Sequence, residues 1–580
     1  MIRLGEMSFK PGIEKAIRQE VKRLYQLDLD PAVEHPKNDR FGDYATGVSL
    51  RIATELKSDP LEIAQQLSQK LSAISNQQSA IRKIEVAPPG FINFWLTPEA
   101  LVKEVNQINK LKGDYGKTDI GKGKTVLVDY SSPNIAKPFG IGHLRSTIIG
   151  QALYNLYSFS GWKAVGENYL GDWGTQFGKL IYAVLKWGDL QKLARAGGIK
   201  ELEKLYVKFH QEVTKDPSLE EKAREWFKRL EDGDKEAMGL WKKFREWSVA
   251  EFERVYKLLG MKFDKMIGES FFVTQAYQVI KEAKAKGLAI ESEGALVIPF
   301  PEEAKLPPLI LLKSDKATTY ETRDLAAIKA RKKKYHPDLF LYETGVEQAL
   351  RFRQLFLAAQ MLGYGTPNQF VHIGHGLYRL PEGKISTRLG RTIYLEEVLQ
   401  EAIAKARKIV EKNPKLSNRE KDQVSKAVGI GAVKYNDLSR HYSTEVIFDW
   451  GKMLSLEGNS APYLQYTFAR AKSVLRKSGK KKLSPITYHL SLTNEELPLL
   501  RFIYRFPEVI EEAVVTYSPN LLCNFLFDLA QRFNRFYDRV PIIRAENLEL
   551  RVVRLALTSA TAQVIESGLN LLGIEVPERL

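Results

Sequence analysis

One strand-turn-helix stretch constrains the fold more than any other part of the sequence. Residues 125–130 read TVLVDY, a short apolar run with β-branched side chains that predicts a buried strand. A turn with proline and glycine follows, and apolar residues then recur at helical spacing from Leu144 to Leu156. Gly161 ends that helix, and residues 163–169 predict the next strand. This order of elements predicts an α/β domain with a parallel, Rossmann-like sheet.

The rest of the chain divides into regions of different composition. With 580 residues and 44% hydrophobic content, the chain can bury several cores, so three or four domains are expected. Two alternating runs around a Pro-Pro-Gly turn predict an α+β unit at the start, and helical patterns predict a bundle at the end. The predicted boundaries are 1–112 for the first unit, 113–400 for the α/β domain with a helical insertion at about 190–260, 401–455 for a helical connection, and 456–580 for the bundle.

Charge and cysteine content narrow the class of protein. Lys and Arg outnumber Asp and Glu by 87 to 70, a net charge of +17 that favours a polyanionic partner such as nucleic acid. A basic, solvated surface without such a partner explains the charge equally well. The single cysteine, Cys523, lies in an apolar helical stretch and is predicted to be core. We find no secretion signal and no membrane-spanning run, which predicts a cytoplasmic protein.

The turn after the first strand is a candidate phosphate site. Residues 131–143 read SSPNIAKPFGIGH, and the helix begins at the end of this segment. Unpaired amides and the positive end of the helix dipole suit a polyphosphate, and Gly140 and Gly142 let a base or ribose approach the backbone. His143 would face the phosphates. A glycine-rich turn before a helix is also common as a simple tight turn.

The amino-acid sequences of two segments resemble those of one protein family. Residues 131–147 resemble the first signature of class I aminoacyl-tRNA synthetases in its arginyl form, and residues 168–178 (NYLGDWGTQFG) resemble that family's second characteristic block. The resemblance to arginyl-tRNA synthetases extends along nearly the whole chain. It implies a class I Rossmann-like catalytic domain between an N-terminal α+β domain and a C-terminal all-α bundle. Gly140 departs from the family, which usually has a histidine there.

The resemblance also implies which residues handle ATP. Residues 383–388 (GKISTR) resemble the lysine-rich loop that closes over the phosphates, with Lys384 as its remaining lysine. In the family, the lysine at position 137 is thought to supply the missing positive charge, and displacement at phosphorus needs fixed positive charge. The expected catalytic residues are His143, Lys137 and Lys384; the expected ATP-binding residues are Gly140, Gly142, His143, Lys137, Lys384 and Ser386.

Two motifs in the sequence are decoys. Residues 372–375 spell HIGH, the usual class I signature, but they come long after the first strand and are followed by Gly-Leu-Tyr rather than by an amphipathic helix. We therefore predict a strand there. Residues 116–118 and 123–125 resemble the end of a P-loop but lack its first glycine, so a P-loop NTPase is disfavoured.

A pocket for arginine must match a planar guanidinium with carboxylates that accept paired hydrogen bonds. Taken singly, acidic and aromatic residues usually have ordinary structural roles. Local motifs of the family place its pocket residues on Asn134, Glu269, Tyr320, Asp324 and Gln348. The resemblance implies that Asn134 and Gln348 hold the ammonium and carboxylate of arginine and that the other three line the far end. Arg351 departs from the family, which often has histidine there.

Four residues are the expected contacts with tRNA. Residues 457–466 and 524–537 resemble the family's anticodon-binding domain, and residues 41–46 and 89–94 resemble its N-terminal tRNA-binding domain. Aromatic residues beside arginines can stack on unpaired bases, although most of these aromatics should be core. The expected tRNA-binding residues are Phe91, Asn93, Tyr463 and Arg470.

The resemblance implies an arginine–tRNA ligase. The expected reaction is formation of arginyl-adenylate from arginine and Mg-ATP, followed by transfer to the 2′-hydroxyl at the 3′ end of tRNA(Arg). ATP with Mg²⁺ is expected without a tightly bound protein metal, and a monomer without a membrane partner is expected. Two alternatives remain: a catalytically inactive, synthetase-like RNA-binding protein, supported by Gly140 and the reduced lysine loop, and a class I synthetase for another amino acid.

Overall fold

The chain begins with an α+β unit. The computed structural model describes residues 9–74, 80–195, 198–380, 383–384, 393–480, 484–486 and 492–580. In the first unit a three-stranded antiparallel sheet with the order β1-β3-β2 packs against helices, and the hairpin of β2 and β3 confirms the two predicted runs. The elements are α1 (Lys10–Tyr25), β1 (Tyr44–Thr46), α2 (Val48–Leu56), α3 (Pro60–Ile74), β2 (Ile81–Ala87), β3 (Phe91–Leu96) and α4 (Pro98–Leu111), with 3₁₀ turns at Asp39–Phe41 and Lys112–Asp114.

A parallel sheet forms the centre of the molecule, as the strand-turn-helix pattern predicts. Five strands, all parallel to their neighbours, lie in the order β11-β10-β4-β5-β6. A separate antiparallel sheet has the order β7-β8-β9. The strands are β4 (Thr125–Asp129), β5 (Lys163–Leu170), β6 (Lys265–Gly268), β7 (Ile290–Ser292), β8 (Ala295–Ile298), β9 (Leu309–Leu312), β10 (Leu339–Gly345) and β11 (Phe370–His375). Strand β11 contains the HIGH decoy, so the prediction of a strand there is confirmed.

Helices connect these strands and form the predicted insertion. The connecting helices are α5 (Gly142–Phe159), α6 (Gln176–Trp187), α11 (Val273–Ala285), α12 (Tyr320–Tyr335) and α13 (Ala349–Met361). The insertion consists of α7 (Leu190–Arg195), α8 (Ile199–Val213), α9 (Leu219–Glu231) and α10 (Lys235–Leu259). Further 3₁₀ turns lie at Glu269–Phe272, Glu302–Ala304, Val346–Gln348 and Pro367–Gln369. The insertion packs its apolar stripe on α6.

One buried arginine ties the strands of the central sheet to α12. The guanidinium of Arg331 lies 2.7 Å from the carboxylate of Asp129 on β4 and within 2.6 Å of the carboxylate of Glu167 on β5. Burial raises the pKa of Asp129 to about 6, although Arg331 lowers it. Because all three groups are buried, each depends on the others for its charge balance. The network fixes α12 against the strand ends that carry the candidate site.

The C-terminal region is almost entirely helical. Its helices are α14 (Leu395–Val410), α15 (Asn418–Leu438), α16 (Trp450–Met453), α17 (Ala461–Lys477), α18 (Leu497–Ile503), α19 (Phe506–Val515), α20 (Pro519–Arg539) and α21 (Leu548–Leu571). Three very short strands form one more sheet of order β13-β12-β14: β12 (Tyr378–Leu380), β13 (Gly383–Lys384) and β14 (Val446–Ile447). The helical prediction is therefore wrong at β14, because a two-residue strand carries no periodicity and is defined only by its distant partner.

The bundle packs against both other regions. Cys523 is buried within α20, as predicted for a core residue. The N-terminal unit contacts the bundle through buried polar pairs, including the hydroxyl of Tyr44, which donates to the carboxylate of Glu508 at 2.6 Å. No helix in the described ranges is long and apolar enough to cross a membrane.

Candidate active site

A cavity of about 1200 Å³ opens at the carboxyl ends of the central strands. It lies beside β4, where the strand order reverses: β5 and β6 extend the sheet from one side of β4, and β10 and β11 from the other. Open parallel sheets commonly bind ligands at such a position. Seven of the residues singled out from the sequence line this one cavity: Asn134, Gly142, His143, Glu269, Tyr320, Asp324 and Gln348. The tertiary structure therefore brings together segments that are more than 200 residues apart.

The turn after β4 is held in an unusual backbone conformation. Ser131, Ser132 and Ala136 have φ angles of 73°, 43° and 58°, in the left-handed region that residues with a side chain rarely adopt. Side chains from elsewhere stabilise it: the Ser131 amide donates to the hydroxyl of Ser146 at 2.8 Å, and the Ala136 amide donates to Ser248 at 2.8 Å. Strain that the surrounding structure maintains in this way is typical of functional turns.

The helix that follows begins with a tight turn, which corrects one expectation. Helix α5 begins at Gly142, but the amides of His143 and Leu144 donate to the carbonyls of Gly140 and Ile141, each at 3.0 Å. These two amides are thus paired locally rather than free, because the first turn is closed by i to i−3 bonds. Gly142 is exposed to the cavity, so the positive end of the helix dipole still faces it.

His143 lies at this helix start as a neutral imidazole. Burial lowers its pKa to about 4, and its ring stacks on Phe139 with 5.1 Å between centroids. Its buried Nδ1 atom has no hydrogen-bond partner in the described part of the chain. A buried polar atom without a partner is costly, so a ligand that pairs with it would be favoured.

Two other predicted ATP residues, Lys137 and Gly140, are not among the described residues that line the cavity. The side chain of Lys137 is exposed, and its ammonium lies 6.0 Å from the ring centroid of Tyr206 on the helical insertion. Gly140 is buried and pairs with Tyr394 in an isolated antiparallel bridge. Lys384 is described only as part of β13, and Ser386 lies outside the described residues. The structure therefore groups His143 and Gly142 with the pocket and leaves Lys137 and Gly140 apart from it.

Two glycines allow predicted residues to approach neighbouring strand ends. A Cβ atom on Gly171 would lie 1.9 Å from Oδ1 of Asn134, so only glycine lets this amide lie against β5. Similarly, a Cβ on Gly268 would lie 1.9 Å from the carboxylate of Asp172. Asp172 accepts hydrogen bonds from the amide and hydroxyl of Ser270 at 2.8 and 2.9 Å. These contacts fix the turn that presents Glu269 to the cavity.

Glu269 is a partly buried carboxylate paired with Arg323. Its Oε2 atom accepts from Nε and Nη2 of Arg323 at 3.3 and 3.2 Å. Burial raises the pKa of Glu269 to about 7, Arg323 and Arg351 lower it, and nearby Asp324 raises it. A further cation would stabilise the charged form, because these two guanidinium groups do not offset burial together with a like charge.

Helix α12 supplies the acid and the aromatic ring opposite Glu269. Thr319 caps the helix by accepting from the amide of Thr322, so Tyr320 and Asp324 lie one turn apart on the same face. Tyr320 is half exposed, whereas Asp324 is buried. The Oδ1 atom of Asp324 is buried without a hydrogen-bond partner among the described residues. An unpaired carboxylate oxygen facing a cavity fits a cationic ligand.

Arg351 occupies part of the predicted arginine pocket, which the sequence analysis did not foresee. Its Nη2 atom forms an ion pair with Oδ2 of Asp324, and its Nη1 atom donates to Oε1 of Gln348 at 2.7 Å. Its guanidinium also lies 4.7 Å from the ring centroid of Tyr320. The chain thus places its own guanidinium against three of the five residues predicted to bind arginine. The departure from histidine at this position was the available signal.

Tyr169 is a second lining residue that the sequence analysis did not single out. It is at the carboxyl end of β5, and its buried hydroxyl has no hydrogen-bond partner within the described ranges. Burial, Asp324 and Glu269 raise its pKa. The hydroxyl therefore stays protonated and can donate to, or accept from, a polar ligand between the two acids. The only indication in the sequence was its position near the end of a predicted strand, two residues before Gly171.

The predicted RNA residues lie away from the cavity. Tyr463 and Arg470 on α17 both bond Asn534 of α20. The Tyr463 hydroxyl accepts from the Asn534 amide at 3.0 Å, and Arg470 donates to the Asn534 amide oxygen at 2.9 Å. The guanidinium of Arg470 lies between two partly exposed tyrosine rings, at 5.0 Å from Tyr466 and 4.8 Å from Tyr537. Such a stack suits contact with an unpaired base.

The two N-terminal candidates differ in exposure. Phe91 begins β3 and is half-buried, whereas the side chain of Asn93, two residues further along the strand, is buried. Side chains two residues apart on a strand share one face of the sheet. Phe91 can therefore meet a base directly, and Asn93 would need a local rearrangement.

Known families match the chain along most of its length. The profile of the catalytic domain of class I tRNA synthetases (R) matches residues 104–450, the DALR anticodon binding domain matches residues 464–580, and the arginyl tRNA synthetase N terminal domain matches residues 12–96. The arginine–tRNA ligase of Clostridioides difficile is 42% identical over 99% of this chain and 100% of its own length. That of Halothermothrix orenii is 41% identical over 99% of this chain and 100% of its own length.

Solved structures agree with these matches. The Thermus thermophilus arginyl-tRNA synthetase superposes with a TM-score of 0.84 at 25% identity, over 99% of this chain and 100% of that one. The Plasmodium falciparum enzyme gives a TM-score of 0.82 at 25% identity, over 98% of this chain and 99% of that one. With relatives of 41–42% identity along the whole chain and a catalytic profile over residues 104–450, the chain belongs to the arginine–tRNA ligase family of class I aminoacyl-tRNA synthetases.

Proposed function

We propose that the cavity is where arginine is activated with ATP before transfer to tRNA(Arg). The observation that carries this proposal is that two acids, the partly buried Glu269 and the buried Asp324, share one cavity with the start of α5 and with polar atoms that have no partner among the described residues. A guanidinium has five N–H donors in a plane and needs acceptors of this kind. Gly140 and the reduced lysine loop are the two features that favour an inactive RNA-binding protein, whereas the acids and His143, which share one cavity, favour catalysis.

Arginine would bind with its guanidinium at the acidic end of the cavity. Asp324 offers Oδ1, Tyr169 offers its hydroxyl, and Glu269 offers its carboxylate to the same cavity. Asn134 and Gln348 would hold the ammonium and carboxylate of the substrate. Lysine would be rejected by geometry, because an ammonium cannot satisfy acceptors arranged for a planar fork. Since Arg351 uses Oδ2 of Asp324, substrate binding either shares this carboxylate or displaces Arg351.

ATP would lie across the start of α5, with its phosphates toward His143. The carboxylate of arginine attacks the α-phosphate, the bond to the bridging oxygen of the β-phosphate breaks, and pyrophosphate leaves with that electron pair. His143, Lys137 and Lys384 would stabilise the charge that develops. Arginyl transfer then follows by attack of the 2′-hydroxyl of the terminal adenosine on the carbonyl carbon, which releases AMP.

Magnesium would enter with the nucleotide. The described residues contain no group of three or more His, Cys, Asp or Glu side chains that could hold a metal ion. Mg²⁺ commonly binds through substrate phosphates with few protein ligands, so this arrangement fits the cavity. It would neutralise phosphate charge during the displacement.

The other regions would bind tRNA. The proposed division keeps the boundaries 1–112 for an N-terminal tRNA-binding domain, 113–400 for catalysis, 401–455 for contact with the tRNA stem and 456–580 for the anticodon. Phe91, Asn93, Tyr463 and Arg470 are the proposed contacts. We further propose a monomeric, cytoplasmic enzyme. Deletion of the first domain should weaken tRNA binding while leaving the remainder folded; unchanged affinity would contradict its proposed role.

Pyrophosphate exchange tests the proposed reaction. We expect exchange that requires arginine and tRNA(Arg) together, as is usual in this family. No exchange with or without tRNA, despite tRNA binding, would support the inactive alternative. Exchange driven by a different amino acid would support a synthetase of other specificity.

A further inference from the structure

A buried carboxylate–imidazole pair lies in the cavity wall and has no role in the proposed reaction. Nδ1 of His375 lies 2.8 Å from Oε1 of Glu343, and Glu343 is completely buried on β10. His375 is the last residue of β11 and lines the cavity together with His143. It is also the last residue of the HIGH decoy. A buried Glu–His pair costs desolvation on both sides, so its position beside a ligand cavity calls for an explanation.

Two hydrogen bonds connect this pair to the start of α5. The hydroxyl of Ser146 donates to the backbone carbonyl of Glu343 at 2.9 Å, and Nη1 of Arg145 donates to the carbonyl of Gly376 at 2.8 Å. Ser146 and Arg145 belong to the first turn of α5, directly after His143. The residues on both sides of the pair are therefore tied to the helix start where the phosphates are proposed to bind.

The orientation of the imidazole is determined by Glu343. A carboxylate accepts, so Nδ1 carries the proton and the other ring nitrogen, Nε2, is left for the cavity. No residue of the described ranges forms a hydrogen bond with Nε2. A carboxylate that fixes the tautomer and direction of a histidine is a common way to prepare it for a ligand.

We infer that His375, oriented by Glu343, binds the phosphates of ATP and supplies the imidazole that the signature lacks at Gly140. The inference rests on the proposed function. Gly140 leaves this end of the cavity with His143 alone from the signature, while His375 brings an imidazole to the same helix start from the opposite strand. Glu343 is a positioning residue, since it acts only through His375.

The charges on the two imidazoles support this division of roles. Burial lowers the pKa of His143 to about 4, so that ring is neutral. Burial also acts to lower the pKa of His375, but the Glu343 carboxylate outweighs it and the pKa is raised above its usual value. Arg145 lowers it and Asp437 raises it from the other side. His375 is thus the imidazole better suited to carry positive charge toward a phosphate.

The test is pyrophosphate exchange by H375Q, measured at saturating tRNA while ATP and arginine are varied separately. Loss of one hydrogen bond to a charged group predicts about a tenfold loss in kcat/KM for ATP. The KM for arginine should stay within about twofold, because a truncation at one end affects mainly the ligand bound there. H372Q is the matched control: His372 is on the same strand and bonds the hydroxyl of Thr344 at 2.9 Å rather than lining the cavity.

Two further variants separate ligand binding from packing. G140H returns the signature imidazole, and the φ of Gly140 is not in the positive region that disfavours a side chain. In the H375Q background it should restore at least part of the ATP kcat/KM, which a packing defect would not allow. E343Q should weaken ATP use less than H375Q and add nothing to H375Q, because coupled residues are not additive.

The outcomes distinguish the two proposals. If the wild-type enzyme shows no arginine-dependent exchange, both the proposed function and this inference fail. If the wild-type enzyme is active and H375Q matches H372Q for ATP, the inference alone is overturned. It is also overturned if H375Q raises the KM values for ATP and arginine equally and G140H rescues neither, since that pattern indicates a structural role.

Discussion

The two ends of the cavity differ in how their charge is arranged. At the amino-acid end, Asp324 is buried, Glu269 is partly buried, and each already has an arginine partner, Arg351 and Arg323 respectively. At the nucleotide end, His143 is neutral and Lys137 points toward the helical insertion. The first end is therefore pre-organised for a cation before arginine arrives. The second has its helix start and the proposed His375 imidazole in place but must still recruit the positive charge of Lys137, which suits a step in which negative charge develops late.

The largest expected effect is at the pre-organised end. In Asp324→Ala, the substrate guanidinium loses its acid and Arg351 loses its partner, so the KM for arginine should rise about 300-fold. The KM for ATP should stay within about twofold. Steady-state pyrophosphate exchange measures both. Glu302→Ala, an exposed acid that is not among the residues lining the cavity, is the control. An equal effect of Asp324→Ala on both substrates would remove the distinction between the ends.

A substitution of Lys137 tests whether the nucleotide end gains this positive charge only during the reaction. Lys137→Ala should lower the rate of adenylate formation by about 100-fold while leaving ATP affinity nearly unchanged, because the ammonium does not line the cavity beforehand. Single-turnover kinetics measures the rate of adenylate formation, and equilibrium binding measures the affinity for ATP. Lys117→Ala, an exposed lysine from a P-loop-like decoy, should have no effect. A rate unaffected by Lys137→Ala would refute the assignment.

Arg351 sharpens the picture of the amino-acid end. Arg351→His removes the guanidinium of the protein itself that pairs with Asp324 and Gln348. Because this guanidinium competes with the substrate for those two residues, its removal should lower the KM for arginine by about fivefold. Arg351→Lys, which keeps the charge, should change it less. A higher KM in Arg351→His would mean that Arg351 holds Asp324 in position for the substrate instead of competing with it.

The smallest expected effect is that of the Tyr169 hydroxyl. Tyr169→Phe removes one neutral hydrogen-bonding group between the two acids, and the KM for arginine should rise about threefold with ATP unaffected. Rates of the purified variant at varied arginine and ATP concentrations measure both KM values. Tyr182→Phe, on α6 and not among the residues that line the cavity, is a suitable comparison. No change in Tyr169→Phe would exclude its hydroxyl from the guanidinium site.

The sequence by itself determined the layout of the molecule and half of the site. The run at Thr125, the helix that starts at Gly142 and the strand at Phe370 all follow from local periodicity and glycine, which act through nearest neighbours in the chain. The five predicted arginine residues line one cavity, because each belongs to a local motif at a strand or helix end.

Only the tertiary structure decided which charged groups meet. The pairs Arg351–Asp324 and His375–Glu343 join residues 27 and 32 positions apart, and Arg331–Asp129 joins residues 202 apart. No periodicity records such pairs, since each depends on which strands are neighbours in the sheet and on burial that removes water from both partners. The same reasoning explains why the sequence did not predict Tyr169 or β14. The role of a single hydroxyl, or of a two-residue strand, depends on partners that only the folded structure brings next to it.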